Sequence, residues 1–268
     1  MRRQLRENSI RIAKGATIIL QHKPFSLLSP STRPVANKKF AFDLLTLDNF
    51  SGRNWNRERG DPREMQGLKC AGRLDADSSG LLLWTDDAAL VDYIISPHTR
   101  VEKEYLVRIK NHEQWTARQL DESLEIMRQG GLVIEEGSEP LRPIPLIRQL
   151  NEAQLQIVLK EGQHRQIRKM CNLLGLEVEA LKRVRIGQAR LGGLSIGYWS
   201  ALNPKQAASL LLPSKKKARQ DDAAVKSAPL RWRSDALEHP GRVETPTRSR
   251  SKPTTPEELD AFRQALRG

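Results

Sequence analysis

Three short stretches of the chain carry residues whose types and spacing could do chemistry. The first is Gly72-Arg73-Leu74-Asp75-Ala76-Asp77-Ser78-Ser79-Gly80, a polar run bracketed by glycines just before the apolar Leu81-Leu82-Leu83-Trp84. Glycines at both ends free the backbone to present a side chain into a cleft. A carboxylate held out this way, here Asp75, could act as a nucleophile or carry a proton. The commoner role of a loop aspartate is to cap a helix or close an Asx turn, so position alone does not decide. The second stretch is Glu161-Gly162-Gln163-His164-Arg165-Gln166-Ile167-Arg168-Lys169-Met170. On a helix, Arg165, Arg168 and Lys169 stand at i, i+3 and i+4 and share a face. Near a helix N-terminus they could hold phosphates or a carboxylate, although a solvated basic face has the same pattern. The third is Lys182-Arg183-Val184-Arg185. In a strand, Arg183 and Arg185 point one way while Val184 and Ile186 point to the core, which describes the wall of a basic groove.

Other chemistries find little support. The histidines His22, His98, His112, His164 and His239 are scattered without ligand spacing, so no metal site is expected. No phosphate-cradling glycine loop of either common type is present, so no nucleotide cofactor is expected. Gly193-Leu194-Ser195-Ile196-Gly197 matches a hydrolase nucleophile elbow as a string. That elbow needs a helix after it, whereas Tyr198 to Leu202 reads as a strand followed by the turn Asn203-Pro204. Cys70 and Cys171 are far apart and unpaired by motif, which fits a reducing compartment, the cytoplasm. No apolar run is long enough to span a bilayer, and the basic start lacks the features of a secretory signal.

The net charge of +13 and a pI near 10.0 point to a polyanionic partner. The charge is not all in the tail. Residues 214–268 carry 13 Lys and Arg against 8 Asp and Glu, a net +5, which leaves +8 on the preceding 213 residues. Nucleic acid is the commonest such partner, and charge alone does not separate RNA from DNA or an anionic surface.

The elements that must position these residues read as an α+β domain with a largely antiparallel sheet. Strands are expected at Ala16–Leu20, Leu81–Thr85, Glu104–Ile109, Leu132–Ile134, Gln154–Leu159 and Val178–Ile186. Helices are expected at Thr116–Gln129, closed by Gly130-Gly131, and at His164–Leu174, closed by Gly175, with a short one over Phe40–Leu47. Tyr105, in Lys103-Glu104-Tyr105, falls at the start of a strand, where a tyrosine usually packs. Residues 1–16 read as a basic arm, 17–212 as one domain, and 213–268 as a basic, mostly disordered tail. Within the tail, Thr255-Pro256-Glu257-Glu258 is a capping box for a short terminal helix.

In order and spacing, the motifs resemble those of the bacterial pseudouridine synthases that modify ribosomal RNA, the branch typified by the small-subunit 16S enzyme. The resemblance runs through Lys23-Pro24, Gly72 to Asp75 with Gly80 to Leu83, Lys103-x-Tyr105, Glu161-Gly162 to Met170, and Leu181 to Gly187. It covers roughly residues 17 to 203. Two departures stand out. Sixteen residues ahead of the first motif cannot hold the small RNA-binding domain that many members carry, which suggests the subset that includes a large-subunit 23S enzyme. Members also commonly have glycine two positions after the motif proline, where this chain has Ser26. That difference is expected to concern loop packing and to leave Asp75 untouched.

The resemblance implies a pseudouridine synthase fold and the conversion of a uridine in ribosomal RNA to pseudouridine, without metal or cofactor. It makes Asp75 the catalytic carboxylate, Arg168 its ion-pair partner, Tyr105 the ring stacked on the extruded uracil, and Arg73 the side chain filling the duplex gap. Arg165, Lys103, Arg183 and Arg185 would complete the substrate-binding surface. The implied partner is structured ribosomal RNA or a pre-ribosomal particle, met by a monomer with no membrane association. The alternatives are a transfer-RNA pseudouridine synthase and a non-catalytic RNA-binding or ribosome-assembly protein. Against the last stands Asp75, since a mere binder gains nothing from a carboxylate that repels phosphates.

Overall fold

A computed structural model describes residues 12–29, 38–52 and 55–209. Most of the basic arm and the tail with its Thr255-capped helix lie outside the described residues. Along the chain the elements are β1 (Ile18–Lys23), β2 (Lys69–Cys70), β3 (Ser79–Thr85), α1 (Ala88–Ile95), β4 (Lys103–Ile109), α2 (Ala117–Gln129), β5 (Leu146–Asn151), β6 (Gln154–Leu159), α3 (Gln166–Leu173), β7 (Val178–Ile186), β8 (Ala189–Arg190), β9 (Trp199–Ala201) and α4 (Pro204–Ser209). Single 3₁₀ turns fill much of the stretch between β1 and β2.

The strands form one mixed sheet in the order β5-β6-β4-β7-β3-β1-β9, with β2 added beside β3 and β8 beside β7. Every pairing is antiparallel except β3 with β7, where Ser79 lies opposite Lys182 and Gly80 opposite Arg183. The architecture is therefore α+β, as the interleaving of elements suggests. Alternation along the strands divides the core between two faces. Ile19, Leu82, Trp84, Tyr105, Val107 and Leu181 join α2 and α3 in one cluster. Ile18, Leu20, Leu81, Leu83 and Ile186 join α1 in the other. Gln21 shows how a polar residue enters this interior. Gln21 is fully buried, donating to the Ala41 carbonyl at 2.6 Å and accepting from the Trp84 indole at 2.9 Å.

Caps set the helix limits. Asp87 accepts from the Leu90 amide at the start of α1. Thr116 and Gln119 form a reciprocal box at the start of α2, and Gly130 ends that helix at φ 79°. Two expected elements differ. Phe40–Leu47 forms 3₁₀ turns at Ala41–Leu44 and Leu47–Asn49 in place of a helix. Leu132–Ile134 is not a strand, because its partner is the nearby loop: the amides of Gly131 and Leu141 bond the carbonyls of Leu141 and Leu132. Among the described residues no helix is long and apolar enough to cross a membrane.

Candidate active site

The Gly72–Gly80 loop leads directly into β3 and is fastened at three points. The Ser29 hydroxyl donates to the Leu74 carbonyl at 2.7 Å and accepts from the Leu74 amide at 2.9 Å. The Ser26 amide donates to the Ala76 carbonyl at 2.8 Å, and the Ser78 amide closes a turn onto the Asp75 carbonyl at 3.1 Å. The segment that supplies Ser26 and Ser29 is itself gathered by Lys23. Its buried ammonium donates to the carbonyls of Pro24 at 3.0 Å and Leu27 at 2.6 Å. Burial lowers the Lys23 pKa to about 8, with Asp77 and Asp75 opposing the shift and Arg183 adding to it. Ser26 adopts φ 69°, in the left-handed region. This is the position where the resemblance implies a glycine, and a left-handed backbone favours one.

Held this way, Asp75 keeps its carboxylate partly open, at 32% side-chain exposure, and Asp77 stands beside it at 35%. Both face the start of α3. Arg165, the residue ahead of that helix, is itself in the left-handed region at φ 55°, ψ 29°. Its Nη2 donates to Asp77 Oδ2 at 2.8 Å while its Nη1 lies 3.7 Å from Asp75 Oδ2. Arg168 is the more buried of the two arginines. Its Nη1 donates to the Val178 carbonyl at 3.0 Å and its Nη2 to the Asp77 carbonyl at 2.6 Å. Its Nε lies 3.3 Å from Asp77 Oδ2, an ionic contact without hydrogen-bond alignment. Burial alone would raise the Asp77 pKa. The hydrogen bond from Arg165 and the charges of Arg168 and Arg165 outweigh it, so the group is held below its usual range.

The structure thus brings Asp75, Arg165 and Arg168 together, and it reassigns the ion pair. Arg168 is committed to Asp77 and two main-chain carbonyls, and the guanidinium nearest Asp75 is that of Arg165. Arg73 is exposed on the same loop. Tyr105 lies directly across from Arg183 in the β4–β7 ladder and is 8% exposed.

Three of the expected RNA-contacting cations are elsewhere. Arg183 is 2% exposed, donating from Nε to the Leu81 carbonyl at 2.8 Å and from Nη1 to the Arg73 carbonyl at 3.1 Å. Arg185 is buried against Glu104, its Nε 2.6 Å from Oε2, and also meets Glu102 and the Gly187 carbonyl. Lys103 is buried too, donating to the carbonyls of Ile94 and Val101, and burial followed by the charge of Arg183 lowers its pKa to about 8. The reason is topological. β7 runs between β3 and β4, which supply the Leu81 carbonyl to Arg183 and the Glu104 carboxylate to Arg185, so both guanidiniums are used inside the fold and neither lines an open groove. These arginines hold the framework: Arg183 ties the loop carbonyl at position 73 to β3 and β7.

Sequence reasoning gave no role to Asp77, Ser29 or the Lys23 ammonium. The available signal for Asp77 was the matched spacing of two carboxylates, Asp75 and Asp77, and two arginines, Arg165 and Arg168. Both cysteines are free, and burial pushes each thiol up to about 12, so neither offers a ready nucleophile. Among the described residues no group of three or more His, Cys, Asp or Glu side chains is arranged to hold a metal ion.

A family model described as RNA pseudouridylate synthase matches residues 17–173, more than half of the chain. The chain belongs to that family. The matched region contains β1, the Gly72–Gly80 loop, Tyr105, Arg165 and Arg168, and stops short of β7. Among curated relatives, an uncharacterized RNA pseudouridine synthase of Borreliella burgdorferi is 33% identical over 126 residues, 47% of this chain and 47% of the relative. Ribosomal large subunit pseudouridine synthase B of Xylella fastidiosa is 35% identical over 121 residues, 45% of this chain and 25% of the relative. The chain therefore spans about half the length, or less, of these curated relatives. Among solved structures, one described as a pseudouridylate synthase superimposes with a TM-score of 0.57 over 73% of this chain and 74% of that one. Its 23% identity makes this a likeness of fold.

Proposed function

We propose that this protein isomerises uridine to pseudouridine in RNA, with Asp75 as the reacting carboxylate within a catalytic unit spanning residues 17–212. The observation that carries the reading is the Asp75 carboxylate itself. It is partly open, fixed on a fastened loop, and faces the Arg165 guanidinium at 3.7 Å in a chain of the pseudouridylate synthase family. The reaction breaks the bond from N1 of uracil to C1′ of the ribose, turns the base, and forms a bond from C5 to C1′. The proton at C5 is lost and one is gained at N1, so atoms and electrons balance without a cofactor. A carboxylate stabilises or traps the cationic ribosyl centre, as in glycoside hydrolysis.

The target base must leave its stack, which costs a few kcal/mol, and an aromatic platform returns about 1–3 kcal/mol. Tyr105 would supply the platform and the exposed Arg73 would enter the gap left behind. The substrate proposed is ribosomal RNA of the large subunit, the substrate named for the Xylella relative. The test is conversion of a large-subunit RNA transcript by the purified protein, read by chemical mapping of pseudouridine, in chelator and without added nucleotide. Asp75→Asn should fold and bind RNA yet form no pseudouridine. Turnover near the parent rate in that variant would refute the assignment, and modification confined to transfer RNA would move the substrate class.

A further inference from the structure

Arg100 and Arg142 are exposed and line the same concavity. Arg100 lies just ahead of β4 and Arg142 in the loop between α2 and β5. They meet there with Lys160, at the end of β6, and Glu161 after it, while Pro143 and Pro145 supply an apolar wall. Among the described residues, neither guanidinium has a hydrogen-bonding or ionic partner.

The three cations arrive from separate parts of the chain, and each is held in place. Arg100 adopts φ 54°, in the left-handed region. That conformation costs a non-glycine residue about 1–2 kcal/mol and persists only where its surroundings enforce it. Both neighbours do so. The Thr99 hydroxyl donates to the Tyr93 carbonyl at 2.5 Å, and the Val101 carbonyl accepts from the Lys103 ammonium at 3.2 Å. Arg142 precedes Pro143, which restricts it to extended backbone, and its amide donates to Glu161 Oε1 at 3.3 Å. Lys160 lies 3.5 Å from Glu102, a carboxylate it shares with Arg185.

Against three cations the lining holds one carboxylate, Glu161. Its Oε1 is taken up by the Arg142 amide and by the Gln166 side chain at 3.1 Å. Like charges gathered without an internal partner repel one another, and an external anion relieves that repulsion. Two forked guanidiniums beside an ammonium match the oxygens of a phosphate.

We propose that Arg100, Arg142 and Lys160 form a subsite for one phosphate of the RNA backbone, at a nucleotide neighbouring the target uridine, with Pro143 and Pro145 against its sugar. This rests on the reading of RNA as the substrate. The subsite leads on towards the proposed reacting carboxylate, since Glu161 is followed four residues later by Arg165, which faces Asp75. It also offers the contact that Lys103, Arg183 and Arg185 do not, because those cations are used inside the fold. A phosphate contact of this kind fixes where the strand lies and carries no base information.

The test is binding of a large-subunit RNA transcript by the parent, Arg100→Ala, Arg142→Ala and the double variant. Arg118→Ala serves as the control, because that side chain is 89% exposed on α2, pairs with Glu122 and is not part of this lining. Each subsite variant should weaken binding roughly tenfold at low salt and flatten the slope of log affinity against log salt by about 0.7–0.9. Arg118→Ala should change affinity by less than about twofold. An equal effect in Arg118→Ala would make the attraction diffuse and overturn the proposal. A second arm replaces single phosphates of a short synthetic RNA bound by the protein with neutral methylphosphonate. One linkage should weaken binding by the parent when neutralised, and the double variant should be indifferent to that same linkage. If the double variant stays sensitive to every linkage that affects the parent, the subsite is refuted. If the parent binds RNA without forming pseudouridine, the catalytic reading fails, and both binding arms still decide the subsite.

Discussion

Gly80 lies flat against the main chain of Arg183: a Cβ at position 80 would come within 2.2 Å of the Arg183 carbonyl oxygen and 2.6 Å of its nitrogen. The residue also holds φ 108°, a conformation that side chains rarely adopt. This contact is the parallel crossing of β3 and β7, and it immediately follows the loop that carries Asp75. Neither obstructing atom can move without parting the two strands. Gly80→Ala should therefore destabilise the fold by about 3 kcal/mol or more, combining backbone strain with a clash that has no relief. Chemical denaturation gives the value, and a loss below about 1 kcal/mol would show that the crossing is looser than drawn.

Ser26 presents the opposite case. It sits at φ 69° with its amide bonded to the Ala76 carbonyl, so a side chain is present where the backbone favours none. Ser26→Gly should relieve about 1 kcal/mol of strain, partly offset by the greater freedom of glycine in the unfolded chain. The expected outcome is a small rise in thermal midpoint with turnover unchanged. A drop in midpoint would mean that the serine side chain contributes more than its conformation costs.

The buried arginines should behave as framework. Arg185→Ala removes the closest cation from the Glu104 carboxylate, which is 5% exposed and bonded to Arg185 at 2.6 Å, leaving it the Gln156 amide at 2.6 Å and Arg190 at 3.8 Å. Removing one partner of such a pair costs about 3–5 kcal/mol. The salt dependence of RNA binding, corrected for unfolded protein, should not change. Arg73→Ala should do the reverse, leaving stability alone and flattening the slope by about one unit per lost phosphate contact. If Arg185→Ala flattened the slope instead, the buried assignment would be wrong.

His22 gives the protein an acid-side weakness. Its Nδ1 donates to the Leu194 carbonyl at 2.7 Å, while Nε2 is buried without a partner among the described residues. Burial and the charge of Lys182 lower its pKa from 6.5 to about 4, against the smaller raising effect of the Leu194 bond. The folded state thus resists a proton that the unfolded state accepts. Stability from this group is intact above about pH 6.5 and is lost as pH falls towards about 4, at up to about 1.4 kcal/mol per pH unit. Urea unfolding at about pH 7 and about pH 4.5 should show a smaller drop in His22→Gln than in the parent. Equal drops would remove His22 from the account.

Much of this was legible in the residues. The glycine-bracketed loop before an apolar strand marked Asp75. The span of β7 could be read directly from alternation, and Thr116 with Gly130 marked the limits of α2. What alternation could not show is which strands flank β7. Lys182-Arg183-Val184-Arg185 reads as an outward basic face because isolated guanidiniums avoid burial. Here their partners come from far away in sequence: the carbonyls of Leu81 and Arg73 for Arg183, and Glu104 for Arg185. Helix α1 lacked a clear period in a short apolar run. The inequality between Asp75 and Asp77 depends on a left-handed Arg165, which no spacing rule encodes.

The bond from Arg183 to the Arg73 carbonyl joins positions 110 residues apart. It has a consequence for how the protein comes into being. A polypeptide emerging from its N-terminus makes the Asp75 loop early, yet β7, which seats that loop, comes after α2, the β5–β6 pair and α3. Closing so distant a contact is slow and happens late. A partly synthesised chain therefore carries the Asp75 carboxylate without Arg165, Arg168 or the strand that seats its loop. Under the proposed role of Asp75, the chemistry would wait until nearly all of the described sheet is in place.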